Sequence, residues 1–391
     1  SSSSTTATTT TTEGALLSRP KAYLEGDLWG DRLTGMMRHL GGALLAMPPS
    51  SFTAHGVAQI VNGYAKLKRE GLVMDLSPKG GEDVGLVRLF SHLARAARQM
   101  GRRCFELPCD ARHVSNIVNG YAKAGIVDAE LFSHLSTVAQ ELAAGAFDAQ
   151  NVANIMNAYA TLGILDTDLF ARMSRVARCY EPQTFDPQHV ANIVHSLAVL
   201  GIDDPELVSH LYDNVLRMRQ TSLLQRDFNA QAIANLAWST AVLNVRHEPI
   251  HRWIAAGCAN RISEMDRNCL SQVHQYLLSC ELEGIHGDGP LSTEALLPLQ
   301  EHRAAIREAF EDGGGTDEIN GRLNPSSLQR DVVRTLERVG IKGVLEEYTD
   351  PPSGYSLDIK IANSKLVIEV DGPSHYSHQG KEPLGRTRMK R

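Results

Sequence analysis

The 391-residue sequence is most informative at first in what it lacks. No stretch approaches the roughly 18 uninterrupted apolar residues that a membrane span needs, so no membrane partner is expected. Its six cysteines (104, 109, 179, 258, 269 and 280) form no Cys-x-x-Cys pair, and no histidine stands at finger spacing. That disfavours a structural zinc site and fits free thiols in a reducing compartment. Positive charge is not in excess: 39 Lys and Arg stand against 45 Asp and Glu, for a net charge of −6. Attraction of a polyanion to the bulk protein is thereby excluded, and any nucleic-acid contact must come from local patches. Aromatic residues are sparse at 6%. The first twelve residues are Ser and Thr with one Ala, with no acid among them and no Arg before Arg19. We expect residues 1–26 to be a disordered Ser/Thr-rich tail, weakly like a transit peptide. The chain starts without Met, as a processed protein or a fragment would.

What is present is a repeat. Five segments align without gaps: HGVAQIVNGYAKL from His55, RHVSNIVNGYAKAG from Arg112, QNVANIMNAYATLG from Gln150, QHVANIVHSLAVLG from Gln188 and QAIANLAWSTAVLN from Gln231. A degenerate sixth, NCLSQVHQYLLSCE, starts at Asn268. Their first apolar residues, Val57, Val114, Val152, Val190, Ile233 and Leu270, are spaced by 57, 38, 38, 43 and 37 residues. The long first interval holds a loop with SPKGGEDVG between Tyr64 and Phe90. Each unit carries a second apolar helix, such as LVRLFSHLARAARQM or ELFSHLSTVAQEL. Two helices per period of 38 predict an α-solenoid over 27–311, whose hairpins bury their apolar faces by stacking on their neighbours. DRLTGMMRHLGGALLAM, ahead of the first unit, reads as a half-repeat cap.

Val114, Ile117, Val118, Tyr121 and Ala122 form one apolar stripe at helical spacing. Small residues one and six places after the first apolar position (Ser115 and Gly120, Ala153 and Ala158, Ala191 and Ser196) fall on the flanks, where neighbouring helices can approach. Residues two and five places on point away from the stripe: Gln59/Asn62, Asn116/Asn119, Asn154/Asn157, Asn192/His195, Asn235/Trp238 and Gln272/Gln275. Amides offer a donor and an acceptor together, and an indole can stack on a base, so this ladder suits base reading. The alternative is that the asparagines stitch adjacent hairpins together. The first position of each pair leans towards stitching, the second towards RNA contact. Arg88, Arg95, Arg98, Arg102 and Arg103 form a run that is either a solvated outer face or a phosphate track.

After a linker at 312–325, a distinct module occupies 326–391. Ser326 and Gln329 form the capping box of a helix with body LQRDVVRTLERVG. YSLDIKI and KLVIEVDGPSHY alternate as a hairpin around Asn363. Leu357, Ile359 and Ile361 share one face, as do Leu366, Ile368 and Val370.

The run YSLDIKIANSKLVIEVDGPSHY resembles the signature of RAP domains, named for RNA-binding proteins abundant in apicomplexan parasites, and the likeness extends over Leu328 to Arg391. In that family the domain commonly follows degenerate heptatricopeptide- or octotricopeptide-type helical repeats. The resemblance implies a mainly α chain: an α-solenoid followed by a small α/β, restriction-endonuclease-like RAP-type module. It also implies an organellar location, mitochondrial or alternatively plastid. The expected work is RNA processing, stability, translation or ribosomal RNA assembly, with single-stranded or ribosomal RNA and the mitochondrial ribosome or RNA-processing proteins as partners.

The nuclease-like fold makes the acids relevant. A four-residue turn places Asp358 across from Glu369, with Asp371 on the same face. Like charges directly opposite are destabilising unless neutralised. A magnesium ion held by Asp358, Glu369 and Asp371, with His375 on the scissile phosphate, is one solution. The nuclease pattern calls for Lys two places after the Glu, where this chain has Asp371, although Lys360 lies on the acidic face. The sequence also ends short of the helix and strand that usually complete a RAP domain. We therefore expect no cofactor and an RNA-binding role. Asn62, Asn119, Asn157, His195, Trp238, Lys360, His375, Arg386 and Arg388 are the candidate contacts, and KEPLGRTRMKR is a basic end. A magnesium-dependent RNA endonuclease and a protein-binding scaffold are the alternatives.

Overall fold

A computed structural model describes residues 27–70, 84–100, 110–181, 184–218, 228–283, 293–312, 326–372, 375–377 and 382–390. The Ser/Thr tail, the first-unit loop as far as Asp83, the linker from 313 onwards, Arg102, Arg103, Cys104, Cys109, Pro373, Ser374, Lys381 and Arg391 lie outside these residues.

Hairpins follow one another in the expected order. The first helices are α2 (Ala54–Arg69), α4 (Asp110–Ala124), α6 (Ala149–Thr161), α8 (Pro187–Leu200), α10 (Ala230–Val242) and α12 (Arg267–Glu283). They stack in series, and α14 (Arg303–Asp312) closes the row. The second helices form the other layer: α3 (Val84–Gln99), α5 (Ala129–Glu141), α7 (Thr167–Arg178), α9 (Pro205–Met218), α11 (Glu248–Asn260) and α13 (Thr293–Gln300). The helix ahead of the first unit, α1 (Asp27–Ala46), stacks on α3 and so begins the second layer. One apolar core runs the length of the array.

Local chemistry sets each hairpin. The first helices α4, α6 and α8 end at Gly125, Gly163 and Gly201, all left-handed at φ 64–65°, where a side chain would be strained. Ile126 N–H then returns to the Tyr121 carbonyl, and Ile164 N–H to that of Tyr159. Asp128, Asp166 and Asp204 next accept from Leu131, Leu169 and Leu207 N–H at 2.9–3.0 Å, starting the second helices. In the fifth unit Asn244 takes the left-handed position.

Tyrosines tie one unit to the preceding one. Tyr64, Tyr121 and Tyr159 donate to the carbonyls of Met37, Phe90 and Phe132 at 3.0, 2.6 and 2.7 Å. Of the small flank residues, Gly120 marks a close approach. A Cβ on Gly120 would overlap Val61 Cγ1 and lie 3.3 Å from the Asn62 nitrogen, so α4 sits against the backbone of α2.

The C-terminal module begins with α15 (Ser327–Arg338), capped reciprocally by Ser326 and Gln329. Strands β1 (Val344–Thr349), β2 (Ser356–Ile361) and β3 (Val367–Ile368) make an antiparallel sheet in that order. Asn363 is left-handed in the β2–β3 turn. Ile359 and Ile361 are buried with Val333, while Leu366 is exposed at the turn. Gln329 also donates to Glu347 and to the Asp358 carbonyl, locking α15 onto the sheet.

Two contacts seat the module on the array. The β1–β2 turn meets its far end: His274 bonds the Ser353 carbonyl at 2.9 Å and stacks on Phe310, and Tyr355 packs edge-on against Phe310. Arg307 donates to the carbonyls of Pro351 and Pro352. The short helix α16 (Gly385–Lys390) returns to lie across α8 and α10.

Candidate nucleic-acid interface

On the face of the first-helix layer, the polar ladder has three positions per helix. Residues two places before the first apolar residue share a side with those two and five places after it, because i, i+4 and i+7 fall on one helical face. Each unit thus presents a triplet: His55/Gln59/Asn62, Arg112/Asn116/Asn119, Gln150/Asn154/Asn157, Gln188/Asn192/His195 and Gln231/Asn235/Trp238. The first member escaped the sequence reading, although its periodicity was present there.

The hydrogen bonds divide this row. Asn62 donates to the Ala58 carbonyl at 2.8 Å and to the Asn116 carbonyl at 3.0 Å, so it stitches α2 to α4. Stitching thus falls here on the second position, where reading was favoured. Gln188 donates to Asn192, and Gln231 to Asn235, each at 2.8 Å. Gln272 also donates to Asn235 at 3.0 Å, so the first position stitches α10 to α12. The amides of Asn119, Asn154 and Asn157 are half-buried and have no hydrogen-bond partner among the described residues.

The first two units are the positive end of the row. His55, Ala58, Gln59, Asn62, Arg112, His113 and Asn116 line a groove of about 600 Å³ between α2 and α4. Burial lowers the pKa of His113, and the neighbouring His55 and Arg112 lower it further. At the other ends of the same helices, burial and then Arg69 lower the pKa of Lys123. The lesser, Coulombic part of these two shifts comes from Arg112 and Arg69, whose positive charge an anion would relieve. The arginine run behaves differently. Arg88, Arg95 and Arg98 lie on α3 in the second layer, where Arg98 pairs with Glu130.

At units four and five the third position of the triplet is covered. Trp238 is 4% exposed and lies against the His195 ring at 5.3 Å between centroids. His195 Nδ1 is 3.3 Å from Ser239 Oγ. Burial, with a contribution from Arg386 on α16, lowers the His195 pKa to about 4, so this imidazole is neutral at pH 7. Arg386 is exposed, and Arg388 follows it on the same helix.

On the module, the β2–β3 register (Ile359 with Ile368) puts Asp358 opposite Glu369. Asp358 accepts the Val370 N–H at 2.6 Å. Asp371 holds His375 Nδ1 at 3.1 Å and accepts from Tyr376 at 3.4 Å. Lys360 Nζ stands 6.0 Å from the Tyr348 ring centre rather than replacing the missing nuclease lysine. No group of three or more His, Cys, Asp or Glu among the described residues is gathered closely enough to hold a metal ion. As placed, Asp358, Glu369 and Asp371 form no such group. The described cysteines form no disulfide, and burial pushes the Cys269 thiol up to about 12.

Two matches with known proteins bear on the chain. Residues 86–279, within the array, match the family of the RNA-editing substrate-binding complex 6 protein. A RAP domain-containing chloroplastic protein of Oryza sativa subsp. japonica is 31% identical over 201 residues, which cover 46% of this chain. The match spans 29% of that relative's length, under a third of it.

Proposed function

We infer that the first-helix face binds single-stranded RNA and that the protein acts in RNA processing, stability or translation in an organelle. The observation that carries this is the three-position polar row: open amides at Asn119, Asn154 and Asn157 adjoin a groove lined by the Arg112 guanidinium and His113. Phosphate is attracted to the positive end, while amides that no other group has claimed are left to meet base edges. The two matches, to an RNA-editing substrate-binding family and to a RAP domain-containing protein, support the same reading. The chloroplastic relative favours a plastid over the mitochondrion.

The test is binding of fluorescent single-stranded oligoribonucleotides followed by anisotropy. Asn119→Ala with Asn157→Ala should weaken binding severalfold at unchanged thermal stability, and Arg112→Ala should weaken it for all sequences alike. Undiminished binding by both variants would move the site off this face. If the wild type binds no RNA, the same surface is left to a protein partner.

A further inference from the structure

The row of triplets is continuous along the array, but the surface is not. Residues 382–390 cross it at the fourth and fifth units. Leu384 and Met389 pack against the array's apolar core, and Leu384 comes close to the turn at Gly163. Between them Gly385 approaches so closely that a Cβ there would run into the Ala198 carbonyl and lie 3.1 Å from the Trp238 ring. Thr387 Oγ1 donates to the His375 carbonyl at 3.0 Å, and Leu384 N–H to the same carbonyl at 2.9 Å. The segment is therefore fixed on one side to the module and on the other to α8 and α10. Beneath it lie the third members of two triplets, His195 and Trp238.

Resting on the RNA-binding reading above, we propose that residues 382–390 form a strap that sets the length of RNA this face accepts, with Gly385 as the residue that lets it close. With the strap down, the strand meets the triplets of units one to three, which the strap does not cover. The fourth and fifth positions are withheld because His195 and Trp238 are already in contact with protein. Trp238 has the chemistry to stack on a base, but a base and the strap cannot occupy its exposed side together. Only a glycine permits this closure, since the obstacle at Gly385 is a backbone carbonyl that cannot move aside as a flexible side chain could.

The experiment uses the full chain and single-stranded oligoribonucleotides of graded length. The strap is followed separately, without RNA, by iodide quenching of the fluorescence that Trp238→Phe removes. In the wild type that fluorescence should be protected, and affinity should stop rising at a short length. Gly385→Val should open Trp238 to iodide and lengthen the plateau by about two nucleotides, at one base per unit. Leu384→Asp should do the same through loss of an apolar anchor, and serves where Gly385→Val disturbs the module's folding. Trp238 open to iodide in the wild type, or opened in the variants with no change in plateau length, overturns the strap's role alone. Absence of binding at every length overturns the RNA reading, and the strap's role with it.

Discussion

Gly63 and Gly120 occupy the same place in successive units, six residues after Val57 and Val114, yet alanine should act on them in opposite directions. Both lie inside helices, where Gly→Ala gains about 1 kcal/mol from backbone propensity. At Gly63 a Cβ meets nothing within 4 Å, so this gain should appear undiminished. At Gly120 the Cβ overlaps Val61 Cγ1, with backbone atoms of Val61 and Asn62 at 3.3 Å behind it. Overpacking of this kind costs about 1–3 kcal/mol. The propensity gain is common to both substitutions, so their difference isolates the steric cost of stacking α4 on α2. Urea denaturation of both variants beside the wild type measures it. Gly63→Ala should raise the midpoint, and Gly120→Ala should fall below Gly63→Ala by about 1–3 kcal/mol. Equal shifts in the two variants would refute the stacking order.

Three further outcomes follow from the geometry. Tyr121→Phe removes a buried bond to the Phe90 carbonyl, and should cost about 1 kcal/mol in denaturant titration. Arg112→Ala should reduce the slope of log affinity against log salt by about 0.7 for single-stranded RNA, and an unchanged slope removes Arg112 from the phosphate path. The folded pKa of His195, about 4, lies below its unfolded value near 6.5. Its contribution is therefore complete above pH 6.5 and is lost as pH falls from there towards about 4, because the unfolded chain takes up the proton first. His195→Gln should lose less stability than the wild type across that window, and parallel losses would count against the assignment.

Much of the architecture was legible because it repeats. The 38-residue period, the paired helices and the small flanks at Ser115 and Gly120 are local patterns reinforced five times. The Ser326 capping box, the Asn363 turn and the facing of Asp358 and Glu369 rest on spacings of a few residues. What escaped depends on contacts between distant segments. Trp238 looked available for stacking because its helical position points outward, and nothing near it in sequence announces Gly385. Asn62 looked free for the same reason, but its partner, the Asn116 carbonyl, is 54 residues away. The acidic face was legible as a set of like charges. Their separate engagement, Asp358 with Val370 N–H and Asp371 with His375, was not.

The module touches the array at two separated places, the end at His274 and Phe310 and the face at Ala198 and Trp238. Helical arrays flex like springs, because each unit is fastened only to its neighbours. A body anchored at both points works as a brace, holding the curvature of units four to six. Bending is then left to the first three units, where Asn119 and Asn157 are found. That half can adjust its pitch, while the braced half keeps a fixed geometry.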